Sequence, residues 1–147
     1  MEIIAKNRKA FYQYEILEKI EAGIVLTGTE VKSLRNKDVS INDSFAQIDR
    51  GEVFLYEMHI GEYKQGNRQN HEPKRKRKLL LHKREIAKIA GKVKQKGCTI
   101  IPLSLYFKNE LAKLEIALVR GKTKFDKRED IKKRTVEREI RQVMKKF

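Results

Sequence analysis

Between residues 111 and 119 the side chains alternate. Ala112, Leu114, Ile116 and Leu118 fall on one side, and Lys113, Glu115 and Ala117 on the other. A period of two sends neighbours to opposite faces of a pleated chain, so this stretch reads as a β-strand with one dry face. A dry face needs a partner strand. Cys98–Phe107 supplies one through the Lys108-Asn109 turn, and Pro102 inside it marks an edge or a bulge because it donates no ladder bond. A second hairpin joins Ser44–Asp49 to Val53–Met58, with Gly51 providing the positive φ of a tight turn. A third is predicted from Tyr12–Ile20 to Ile24–Leu26. Tyr14, Ile16 and Ile20 share a face there, and Glu21-Ala22-Gly23 breaks the run.

Helical signals are fewer. Thr29 is placed to cap a short helix through Arg35, with Glu30 in its first turn and Val31 and Leu34 as its buried pair. Leu79–Gly97 is predicted as the main helix, since Ile86, Ile89, Ala90 and Val93 recur at i, i+3, i+4 and i+7. Gly61–Lys78 holds one aromatic and no aliphatic residue, so it reads as an exposed loop. Strand hairpins with one good helix predict a mainly β fold: an OB-like antiparallel β-barrel with flanking α-helices, spanning residues 1–120.

The chain has 147 residues, a length that suits one domain and its core. A single cysteine, Cys98, excludes an internal disulfide framework and reads as a small hydrophobe. No run approaches the ~20 apolar residues of a membrane span, and residues 1–9 lack the apolar centre of a secretion signal. A cytoplasmic protein without a membrane partner is expected. Lys and Arg number 35 against 20 Asp and Glu, a net charge of +15 that calls for a polyanionic partner. Five of the cations stand together at Lys74-Arg75-Lys76-Arg77-Lys78. Such a run is ordinarily a solvated face, but the overall charge tips the reading toward nucleic acid.

Residues 121–147 carry 11 basic and 5 acidic side chains, which makes them a distinct basic tail. Asp126-Lys127-Arg128-Glu129 matches a capping box. Beyond it Val136, Ile140, Val143, Met144 and Phe147 form one helical stripe. Arg134, Arg138, Arg141 and Lys145 form another on the opposite face. Apolar content is thin, so the expectation is a segment largely disordered when free that turns helical on a polyanion.

Signals for chemistry are weak. His59, His71 and His82 have no metal-ligand spacing, and no glycine-rich phosphate loop is present. His71 is expected to stack or hydrogen-bond in the basic loop. Asp43, Asp49 and Glu52 lie beside a turn, where acidic residues are common. No catalytic residue, metal or cofactor is expected.

Five blocks then carry a resemblance. They are Glu21–Arg35 (EAGIVLTGTEVKSLR), Asp43–Tyr56 (DSFAQIDRGEVFLY), His71–Glu85 (HEPKRKRKLLLHKRE), Leu105–Lys122 (LYFKNELAKLEIALVRGK) and Asp126–Glu129 (DKRE). In this order they resemble the SmpB family, the SsrA-binding proteins of trans-translation. The resemblance implies a non-enzymatic adaptor that binds the tRNA-like domain of tmRNA and brings it to stalled ribosomes. It further implies a tail in the empty mRNA channel, near the decoding centre of the small subunit. Alanyl-tRNA synthetase and elongation factor Tu act on the same RNA, and the protein itself is expected to be a monomer. By the resemblance Glu21, Arg75, Arg77, Lys78, Leu80 and His82 are the RNA-binding positions, with His82 where asparagine is frequent. Gly121, Lys122, Asp126, Lys127 and Arg128 match the tail motif, and Lys124, Phe125 and the stripe residues Arg134, Arg138 and Arg141 are counted with them as decoding-centre positions. Phe125 takes a position that stacks on a base. Glu110 stands where glycine is common.

Two other classes remain open on the residues alone. A structural ribosomal protein shares the small size and basic tail, and would sit on every ribosome rather than on stalled ones. An RNA-processing factor would turn over RNA with Mg²⁺.

Overall fold

The computed structural model describes residues 1–64, 70–95 and 97–121. Its elements are β1 (Glu2–Lys6), α1 (Ala10–Gln13), β2 (Tyr14–Ile24), α2 (Gly28–Arg35), β3 (Val39–Ser40), β4 (Phe45–Asp49), β5 (Glu52–Tyr56), β6 (His59–Ile60), β7 (Arg77–Leu80), α3 (Lys83–Val93), β8 (Cys98–Lys108) and β9 (Leu111–Gly121). Following the ladders closes a ring. β8 pairs with β9, β9 with β2, β2 with β7, β7 with β5, β5 with β4, and β4 with β8 again. Every pairing is antiparallel, β1 adds to the outside of β8, and β3 and β6 form a separate ribbon. The expected antiparallel barrel with flanking helices is therefore present.

The inside of the ring is dry. Val53, Leu55, Leu79, Ile100, Leu105, Leu114 and Ile116 are at most 1% exposed, each worth about 1.5–3 kcal/mol of burial. Helix α3 turns Ile86, Ile89 and Val93 onto this core, the stripe read from the sequence. Strand β9 goes further than one dry face. Ala117 and Val119, on its other side, join Ala10, Ile101 and Leu103 in a second cluster under α1. The four residues 116–119 are consequently all buried.

Several local expectations are corrected. β2 runs unbroken through Glu21-Ala22-Gly23, so no hairpin forms there; β2 instead pairs along β9 and, at its end, with β7. Gly23 is needed for closeness rather than for a turn, since a Cβ there would lie 3.2 Å from Leu80 Cβ. The cap of α2 is Thr27, not Thr29. Its hydroxyl accepts from Glu30 N, and the Glu30 carboxylate accepts from Thr27 N at 2.8 Å. Leu34 of that helix is buried with Glu30 and Ser33, whereas Val31 is only half-buried. Leu79 and Leu80 belong to β7, and the main helix begins at Lys83 and ends at Val93. The Arg77-Lys78 end of the predicted loop is strand. Pro102 sits at a register shift in β8, as expected of a residue with no N–H.

Both hairpin turns put two residues at positive φ: Arg50 and Gly51, then Asn109 and Glu110 (φ 51° and 65°). Left-handed backbone costs an ordinary residue ~1–2 kcal/mol, partly balanced by the extra chain entropy of glycine. Glu110→Gly is expected to raise stability by about 0.5–1 kcal/mol in a denaturant melt. A drop would show that the Glu110 side chain holds the turn.

Candidate nucleic-acid interface

The expected RNA-binding residues separate into three environments. Glu21 on β2, Leu80 on β7 and His82 before α3 come together. With Gly23, Leu81, Glu85 and Lys113 they line one shallow open groove. The β2–β7 pairing makes it, because Gly23 stands opposite Leu80 and brings the strands close. Leu80 is 53% exposed there, an apolar side chain held in water. Tyr106, itself buried, donates its hydroxyl to Glu21 Oε2 at 2.5 Å, with Lys108 Nζ 3.6 Å away. The Tyr106 bond, ahead of the Lys108 and Lys113 charges, holds the Glu21 carboxyl below its usual range. Burial and the same carboxylate push the Tyr106 phenol up. Glu21 is thus a fixed, ionised acceptor for donors on a ligand. His82 N donates to Glu85 Oε1 at 3.0 Å, which starts α3 and sets the exposed imidazole at the groove rim.

Lys78 is exposed on the same outer face as Leu80 and pairs loosely with Glu52 at 3.0 Å. Arg75 is half-buried. Its guanidinium donates to Glu30 Oε1 at 2.6 Å and to the Val25 and Lys76 carbonyls at 3.3 Å.

Arg77 is not a surface cation. The strand alternation of β7 turns it inward, where it is 0% exposed. Its Nε donates to Glu30 Oε2 at 2.5 Å, and its terminal nitrogens donate to the Met58 and Pro73 carbonyls at 2.6 and 3.1 Å. No phosphate reaches it from that position. Burial lowers the Arg77 pKa and Glu30 opposes the loss. Burial would raise Glu30, but the bonds from Arg75 and Thr27 and the Arg77 charge outweigh it and hold the carboxyl low. The pair clamps α2 to the basic strand. His71, also buried, helps to hold the same loop. In the neutral ring Nε2 donates to the Ile60 carbonyl and Nδ1 accepts the Thr29 hydroxyl, both at 2.9 Å.

The tail positions Lys122, Lys124, Phe125, Asp126, Lys127, Arg128, Arg134, Arg138 and Arg141 lie outside the described residues, as do the capping box and both helical stripes. Among the described residues no three His, Cys, Asp or Glu side chains group to hold a metal ion. No described helix is long and apolar enough to cross a membrane. Sequence reading missed Lys113 and Glu85 as groove walls, since alternation makes Lys113 look like any solvent-facing lysine. It also missed Glu30 as the anchor of two arginines, although the Thr27-x-x-Glu30 spacing was a readable signal.

Fold and surface together define a small basic β-barrel whose outer face, rather than an interior cleft, carries Glu21, Lys78, Leu80 and His82, with Arg77 turned inward. The family model described as SmpB protein matches residues 4–146, and the chain belongs to that family. The SsrA-binding protein of Halothermothrix orenii is 58% identical over 145 residues, 99% of this chain and 94% of its own length. That of Carboxydothermus hydrogenoformans is 58% identical over 143 residues, with 97% and 96% covered. A chain of the solved structure described as "tmRNA-SmpB: a journey to the center of the bacterial ribosome" matches with a TM-score of 0.70. Its identity is 47%, over 86% of this chain and 93% of that one.

Proposed function

We propose that the chain is a non-enzymatic adaptor that grips the tRNA-like domain of tmRNA with its barrel and delivers that RNA to stalled ribosomes. The observation that carries the reading is that Glu21, some way back in the chain, meets Leu80 and His82 in one groove of a chain related to SsrA-binding proteins. A folded RNA elbow offers phosphates, sugars and a few unstacked bases rather than readable groove edges. The groove answers with an apolar side chain for a base or sugar face, a fixed carboxylate for base or ribose donors, and an imidazole at the rim. Lys78 and Arg75 stand alongside to meet phosphate.

Residues 1–120 act as the docking body in this reading. Residues 121–147 enter the empty mRNA channel near the decoding centre and take helical form there, with Phe125 stacking on a base and Lys122, Lys124, Lys127, Arg128, Arg134, Arg138 and Arg141 meeting phosphates. Asp126 caps that helix. The protein works as a monomer in the cytoplasm, on an RNA that alanyl-tRNA synthetase and elongation factor Tu also handle.

Leu80→Ala tests the groove. Half-exposed in the free protein, Leu80 can be cut back with little effect on the melting temperature. If RNA covers the exposed half, the lost burial is about 0.8–1.5 kcal/mol, or roughly four- to tenfold in Kd. Filter binding with the isolated tRNA-like domain reads this out. Wild-type affinity in the folded variant would remove the groove from the interface.

A further inference from the structure

Outward positions on a barrel strand are ordinarily polar, and β5 departs from this. Val53 and Leu55 point inward and are 0% exposed, so Glu52, Phe54 and Tyr56 face out. Register sets Phe54 beside Gln47 of β4 and Lys78 of β7, and Tyr56 beside Phe45. The Phe45 and Tyr56 rings stack with centroids 5.5 Å apart and planes 17° apart, which fixes Tyr56 in place. Phe54 and Tyr56 are half-buried, each keeping part of its ring in solvent.

Lys76 lies over both rings, its Nζ 4.1 Å from the Phe54 centroid and 5.5 Å from that of Tyr56. Its charge differs in setting from its neighbours. Lys74 pairs with Glu57, Arg75 and Arg77 with Glu30, and Lys78 with Glu52. Lys76 is the one cation of the run that meets no carboxylate within ion-pair distance among the described residues. An exposed lysine resting on aromatic faces is weakly held, and a phosphate oxygen is the stronger partner.

We propose that Phe54, Tyr56 and Lys76 form a contact site for an unpaired nucleotide of single-stranded RNA. The base lies against the ring faces, and the Lys76 ammonium leaves the rings for the adjacent phosphate. Stacked bases of a duplex cannot offer a free face, so the site selects single strands. Register sets Asp49 beside Glu52 at the turn end of the strip, where carboxylates disfavour phosphate, so the backbone is drawn to the Lys76 side. The site is separate from the groove. It rests on the RNA-binding reading for its source of ligand, but not on the groove for its geometry.

The test uses the full chain and a short oligouridylate carrying 4-thiouridine. After irradiation, peptide mass spectrometry should place crosslinks on Phe54 or Tyr56. Fluorescence anisotropy should show Phe54→Leu weakening the oligonucleotide roughly five- to hundredfold. Lys76→Gln, a surface change with no fold to disturb, should lower the salt slope by about 0.7. Crosslinks confined to other residues, or unchanged binding in both variants, would overturn the site. If the strip fails while Leu80→Ala still weakens binding of the tRNA-like domain, only the strip falls. Crosslinks on the strip alongside full Leu80→Ala binding would instead remove the groove.

Discussion

Arg77→Ala is expected to lose about 3–5 kcal/mol of stability, because it removes the fully buried partner of Glu30 Oε2 and leaves that carboxylate, in a site with no exposure, with Arg75 as its one cation among the described residues. A domain of this size has only ~5–15 kcal/mol in total, so the variant should unfold at a clearly lower denaturant concentration than the wild type. Glu30→Gln should do similar damage from the other side, leaving the Arg77 charge without its partner. Lys78→Ala, by contrast, removes a surface pair worth about 0–1 kcal/mol and should melt like the wild type. The pair also predicts acid sensitivity. Glu30 has a depressed pKa in the folded state, so its contribution is complete above the ordinary value of 4.5 and is lost as pH falls through the folded value. Glu18 and Glu21 shift the same way, so Glu30→Gln should flatten the acid limb of the stability curve without removing it. Denaturant melts across pH 3–7 check both. A folded Arg77→Ala protein of wild-type stability that has lost RNA affinity would mean that Arg77 works at the interface after all.

Deleting residues 121–147 should leave binding to the tRNA-like domain largely intact at physiological salt, while peptide tagging on stalled ribosomes falls to background. The groove lies wholly within the barrel, and the tail contributes 11 of the 35 basic side chains but none of the groove residues. Filter binding and an in vitro tagging assay separate the two roles. Loss of tmRNA binding in the truncated protein would contradict the division of labour, and so would tagging that survives it.

The parts of the fold legible in the sequence are those whose signal is local. The β4–β5 turn follows from a glycine at positive φ, the β8–β9 hairpin from alternation, and the inward stripe of α3 from its helical period. The parts missed depend on partners distant in the chain. Gly23 has the look of a strand break, but it lets Leu80 approach across the groove. Arg77 stands among four other cations and reads as solvated, because nothing local shows that Glu30, 47 residues earlier, waits inside. The short β1 segment gains strand form only by lying along β8. The burial of Ala117 needs α1 to cover it, which the alternation of β9 alone does not reveal. Resemblance, and no periodicity, singled out Glu21, Leu80 and His82; that they line one groove comes from the β2–β7 pairing. The Phe54–Lys76 contact requires the β5–β7 register, which no sequence pattern supplies.

The most direct measurement is to purify the full chain from its own cells under native salt, and to sequence the RNA that comes with it. The account predicts strong enrichment of tmRNA over other stable RNAs, reduced when Leu80 is replaced by alanine. Recovery of ribosomal RNA in proportion to ribosome content, with no excess of tmRNA, would contradict it.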